Sequence, residues 1–153
     1  MTESTPAAQT RGPEPQVVKV AFYLWIASAV AMIGGAAMSL AMKDRIVELT
    51  LEVNRDPRLT PDLVSRGTNT LLWTFLVGAV VFGVLFVLFA WKSREGTRSA
   101  RTVLAVLAVV TALFQMLIFL NEVKVLAIVL SIGAGVCMFL PSTTGYFEKL
   151  PKK

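Results

Sequence analysis

The sequence predicts an all-α polytopic membrane protein, with four transmembrane helices in an antiparallel bundle and a helical extracytoplasmic hairpin between the first two spans. Three observations predict it. Of the 153 residues, 55% are hydrophobic and 16% charged, with a mean hydropathy of +0.66, whereas about 25% of an ordinary soluble domain is charged. The apolar residues gather in four uncharged runs, Val20 to Met42, Gly67 to Trp91, Thr102 to Asn121 and Val125 to Phe147, each reaching the ~20 residues that cross ~30 Å of hydrocarbon. The charged residues fall between those runs, on what become the loops and tails. The runs are continuous rather than alternating, which excludes a porin-type barrel, and too little chain lies outside them to build a soluble core.

Residues 1 to 18 hold Pro6, Pro13 and Pro15 and no aromatic side chain, so they are expected to form a disordered cytoplasmic tail. Ser39-Leu40-Ala41 looks like a small-x-small cleavage site, but the apolar stretch before it exceeds the h-region of a signal peptide and the tail lacks a net positive charge, so the first run is read as a span. That span covers about 20–42. Ala27, Ala31, Gly35 and Ser39 form a four-residue-spaced stripe of small side chains along it, which lets backbones approach, within the bundle or in a dimer.

The outer loop, 43–66, follows. Ile46, Leu49 and Val53 share a helical face, with Glu48, Glu52 and Arg55 between them, so the first helix is expected to run on for two or three amphipathic turns. Asp56-Pro57 should stop it. Thr60-Pro61-Asp62 then reads as a helix start, with threonine at the N-cap, proline at N1 and an acid at the positive helix end. The second span covers 68–91, and its Gly78 and Gly83, five apart, do not share a face. Phe82, Phe86 and Phe89 do, as packing or lipid-facing bulk.

Between spans two and three lies a short basic segment. Lys92, Arg94, Arg98 and Arg101 are expected to attract anionic headgroups, each by on the order of 1 kcal/mol. The third span, 102–121, carries the one strongly polar side chain deep in a run, Gln115, a turn after Thr111. The pair is expected to make an interhelical polar contact, or else to meet a ligand. Only Glu122-Val123-Lys124 separates it from the fourth span, 125–145, on which Ser131 and Gly135 form a second small pair. Residues 148–153 make a basic cytoplasmic tail.

Nine Lys and Arg fall on the side of the two termini and the middle loop and six on the other, so both termini are expected in the cytoplasm and the chain in the cytoplasmic membrane. Trp25, Trp91 and Tyr146 are expected to anchor the interfaces. The formal charge of +5 flanks membrane helices instead of forming one solvated face, so nucleic acid is not an expected partner. With no histidine and one cysteine, Cys137, inside the fourth run, no metal, thiol-pair or cofactor site is expected. No Asp, Glu, Lys, Arg or His lies inside a run, which weakens a transport role, and no enzyme motif is present.

Leu140-Pro141-Ser142-Thr143-Thr144-Gly145-Tyr146-Phe147 and Leu59-Thr60-Pro61-Asp62-Leu63 resemble segments of small four-span membrane proteins of actinobacteria whose function is unassigned. The resemblance covers about residues 17 to 147. It implies a cytoplasmic-membrane location and a four-helix fold, and carries over no catalytic residue. The residues themselves point to a structural or accessory subunit of a larger envelope or respiratory assembly, joined through its spans or outer hairpin to a membrane-protein partner or a second copy. The alternative is a small lipid-binding or transport component using the bundle interior near Gln115.

Overall fold

The computed structural model describes residues 14–54, 56–116 and 121–147. Among them are the helices α1 (Gln16–Ala41), α2 (Lys43–Val53), α3 (Pro61–Arg94), α4 (Arg98–Met116), α5 (Glu122–Phe139) and the short α6 (Pro141–Thr144), followed by one 3-10 turn, Gly145–Phe147, and no strand. The helices α1, α3, α4 and α5 are each long and apolar enough to cross a membrane. The tails 1–13 and 148–153, residue 55 and residues 117–120 lie outside the described residues, and with them most of the expected disordered tail and the end of span three.

Each boundary has a local cause. Pro15 sits extended just before α1, so the helix starts at Gln16 and takes in part of the stretch expected to be disordered. At Met42 the chain bends without breaking, because Met42 N still donates to Met38 O and Ile46 N to Met42 O. The helix α2 ends at Val53, ahead of Asp56-Pro57, and Asp56 then turns the chain by accepting from the amides of Arg58 and Leu59. Thr60 caps α3 as the sequence predicts, its hydroxyl accepting from Leu63 N with Pro61 at N1. With 34 residues, α3 is about 51 Å long and outruns the hydrocarbon, and α2 packs against it. Gly96, at φ 75°, supplies the left-handed residue that closes α3 and lets α4 begin two residues later. Lys92 and Arg94 therefore end one helix and Arg98 and Arg101 begin the next, within the short basic segment between spans two and three. The helix α5 stops at Phe139, short of the expected 145, because Leu140 precedes Pro141 and is held extended.

The packing forms a ring in which α1 touches α3 and α5, α3 touches α4, and α4 touches α5. As positions on α1 rise from Trp25 through Ser28 to Gly35, their hydrogen-bonded partners on or just before α5 fall from Met138 through Ala127 to Asn121, so these two helices run in opposite senses. Inward positions are small or aromatic: Ala21, Ala29, Ala36, Ala79, Ala90, Ala127 and Ala134 surround Trp25 and Phe86. Outward positions such as Val77, Val84, Val109, Val129 and Ile132 are large and exposed. This is the distribution expected where lipid removes the hydrophobic drive between helices and close backbone packing replaces it.

The buried face of α1 runs Ala21, Trp25, Ser28, Met32, Gly35, Ser39, steps of four and three that hold one side of a 3.6-residue helix. The expected stripe, stepping by four throughout, rotates by about 40° per step at 3.6 residues per turn and leaves that face. Gly35 and Ser39 are buried, Ala31 is half-buried and Ala27 is exposed. On α5, Ser131 is buried, but the space around Gly135 is open, with nothing within 4 Å of an added Cβ.

Candidate functional site

The polar chemistry of the bundle gathers in two places. The first is a seam between α1 and the start of α5. Asn121 caps α5, its Oδ1 accepting from Lys124 N at 2.8 Å, while its Nδ2 donates to Gly35 O at 3.0 Å and to Ser39 Oγ at 3.1 Å. Ser39 Oγ donates to Gly35 O at 3.0 Å. The approach is close because residue 35 has no side chain. A Cβ there would stand 2.8 Å from Lys124 Cγ and 3.3 Å from Lys124 N. Lys124 was expected in an exposed outer loop, but the Asn121 cap starts the helix at Glu122 and turns the lysine stem inward, where the residue is 5% exposed.

Beside this seam lies a small interior cavity of about 20 Å³, lined by Met32, Phe75, Phe82 and Phe114 together with Thr111, Gln115 and Lys124. That volume suits a single water molecule. Thr111 and Gln115 are 3% and 8% exposed, and their Oγ1 and Oε1 have no hydrogen-bond partner among the described residues. The interhelical bond expected of this pair is thus not made through those atoms, and Asn121 makes it instead. The reason is the lining: aromatic and apolar side chains of α1 and α3 face the two polar groups, and Phe114 on the same helix packs against Phe75, the rings tilted with centroids 4.4 Å apart.

The second place is the opposite end of the bundle, where α3 ends and α5 stops. Arg94 donates from Nε and a terminal nitrogen to both carboxylate oxygens of Glu14, at 2.8 and 2.9 Å, and lies 4.7 Å over the Phe22 ring. The hydrogen bond from Arg94 holds the Glu14 carboxyl below its ordinary range. The Tyr146 hydroxyl donates to the Arg94 carbonyl, and Arg101 lies over Phe139 and Phe147 at 4.2 and 5.3 Å. Trp25 lies within the core, stacked on Phe86 at 5.1 Å, and its Nε1 donates to the sulfur of Met138 at 3.4 Å. Ser93 reaches the same sulfur, and Thr143 Oγ1 donates to Met138 O and Leu140 O.

These positions revise the expectations for Trp25 and for the basic segment. Trp25 was to anchor an interface, but it sits on the inward face of α1 and is fully buried. Trp91 does face outward, 63% exposed, and Tyr146 ties the chain end to α3. Of the four bases expected at headgroups, Arg94 is taken by Glu14 and Lys92 pairs with Glu95 at 2.9 Å, whereas Arg98 is exposed and Arg101, over the rings of Phe139 and Phe147, has no acid paired with it among the described residues. Asn121, Lys124, Ser28 and Glu14 went unnoticed as structural groups. The cap signal Asn-Glu at 121–122 was readable, but its partners on α1 lie more than 80 residues away.

Outside the bundle, α4 and α5 diverge along a groove of about 460 Å³ lined by Ala105, Ala108, Ala112, Met116, Gly135 and Phe139 among others. Among the described residues no three His, Cys, Asp or Glu side chains gather where they could hold a metal ion. The chain matches no family model, no curated protein and no solved structure.

Proposed function

We propose that the chain is a multi-pass protein of the cytoplasmic membrane acting as a structural or accessory subunit of a larger envelope or respiratory assembly. In this reading both termini are cytoplasmic, as the excess of Lys and Arg on their side supports, and α2 with the turn after it faces outward. The observation that carries the proposal is the contrast between interior and exterior. The inner cavity is about 20 Å³, the size of one water, whereas the outer faces offer apolar surface and the amphipathic α2, whose Glu48 and Glu52 are exposed, with Arg58 exposed in the turn after it. Work of this shape is done by surfaces. The rival, a lipid-binding or transport component using the interior, draws support from the orphaned oxygens of Thr111 and Gln115. It comes second because no lipid or solute of ordinary size fits between them. No catalysis is assigned.

The test is affinity purification of the tagged chain from its own membranes in mild detergent, with quantitative mass spectrometry of proteins and lipids. A protein partner in stoichiometric amount, lost when Glu48 and Arg58 are both reversed in charge, is the expected result. Recovery of the chain alone, even after crosslinking in the membrane, would contradict it.

A further inference from the structure

We infer that the outer groove between α4 and α5 is a binding site for one acyl chain of an anionic phospholipid whose headgroup meets Arg98 and Arg101. The inference rests on the membrane reading and not on the accessory role. Two features point the same way. The groove floor is made of small residues, Ala105, Ala108 and Ala112 on α4 and Gly135 on α5, and an added Cβ at Gly135 meets nothing within 4 Å, so the surface is hollowed rather than filled. The groove has a charged end. Phe139, which lines it, carries the Arg101 guanidinium 4.2 Å over its ring, and Arg98 stands exposed one turn earlier on α4. Among the described residues no acid pairs with either arginine.

The charge at that end is what separates an anionic lipid from an apolar partner helix. Arg98, Arg101, Ala105, Ala108 and Ala112 step by three and four along α4, which holds one side of a 3.6-residue helix, so the two arginines continue the groove lining toward the start of α4. An acyl chain along that lining puts its phosphate at the headgroup layer, where the two bases meet it. An arginine there presents a planar fork suited to phosphate oxygens.

The probes are phosphatidylglycerol and phosphatidylcholine with identical acyl chains, offered in equal amounts to the full chain in mild detergent and read by native mass spectrometry. One tightly held phosphatidylglycerol is expected, favoured several-fold over phosphatidylcholine. Arg98→Gln should lower that preference about fivefold, the factor that corresponds to ~1 kcal/mol per base near a headgroup. Gly135→Leu, which fills the groove, should reduce retention of both lipids at least threefold. Circular dichroism of both variants keeps misfolding apart from lost binding. Equal retention of the two lipids, or unchanged retention in Gly135→Leu with the fold intact, would overturn the inference. So would a change from dimer to monomer in Gly135→Leu without loss of lipid, which would assign the groove to a second copy.

Discussion

Replacing Gly35 by alanine puts a methyl group where α1 meets the first turn of α5. An ideal Cβ there lies 2.8 Å from Lys124 Cγ, 3.3 Å from Lys124 N and 3.4 Å from Asn121 Oδ1. The Cγ alone could swing away, but the backbone nitrogen is fixed by the Asn121 cap, so the start of α5 must move off α1. Overpacking of this kind costs about 1–3 kcal/mol. The two bonds that Asn121 Nδ2 makes to Gly35 O and Ser39 Oγ stretch with it, at about 0.6 kcal/mol each for interhelical bonds in membranes. Against this stands the gain of about 1 kcal/mol from alanine over glycine inside a helix. The net loss is about 1–3 kcal/mol. Gly34, the adjacent residue, is the control, since a Cβ there meets nothing within 4 Å, and Gly34→Ala should gain up to about 1 kcal/mol. Thermal unfolding in detergent, followed by circular dichroism, should place Gly35→Ala below the wild type and Gly34→Ala at or above it. Equal melting of the two variants would refute the seam as the contact that sets the distance between α1 and α5.

Further predictions concern the other groups. Glu14→Gln should cost about 1 kcal/mol at neutral pH, a value held down by solvent because Arg94 is 38% exposed in the pair. Because the folded Glu14 carboxyl lies below its ordinary 4.5, that stability is present above 4.5 and is lost as pH falls through the lowered folded value. The melting gap between wild type and Glu14→Gln should therefore close on acidification, and a constant gap would count against the pair. Tyr146→Phe removes the bond to the Arg94 carbonyl, a loss of about 1 kcal/mol that the same melts would read. Gln115→Leu should leave stability unchanged or raise it, since Oε1 has no partner to lose among the described residues; a clear drop would favour the interior-site reading, in which the amide holds a guest in the cavity.

Much of the fold is legible in run lengths and punctuation. Four uncharged runs fix the spans, Thr60-Pro61-Asp62 starts α3, and Pro141 ends α5. Helix faces are harder to read, because lipid lets both sides of a span be apolar and the period that marks an inward face in soluble proteins fades. Trp25 shows the consequence. Its place at the head of a run suggests an interfacial anchor, while the three-four spacing from Ala21 to Ser39 turns it inward onto Phe86 and Met138. Gly78 and Gly83 show the converse, since their spacing alone separates their faces, and they meet Phe114 of α4 and Ile33 of α1 respectively. The site was partly legible. Gln115 and Thr111 stand out as polar groups in an apolar run, and they do line the cavity. The seam that satisfies polar groups is built instead by Asn121, which sits at a run's edge and looks like loop. Glu14 and Arg94, 80 residues apart, carry no local signal of their pairing.

In the proposed topology the chain threads a membrane four times, with the turn after α2 on one side and the segment between α3 and α4, with the end of α5, on the other. Single cysteines at Asn54, Thr97 and Ser142, in a background with Cys137 replaced by alanine, would be labelled in cells with a membrane-impermeant maleimide. With that topology the position-54 variant reacts in intact cells, and those at 97 and 142 react only after permeabilisation. Labelling of 54 and 97 from the same side would contradict it.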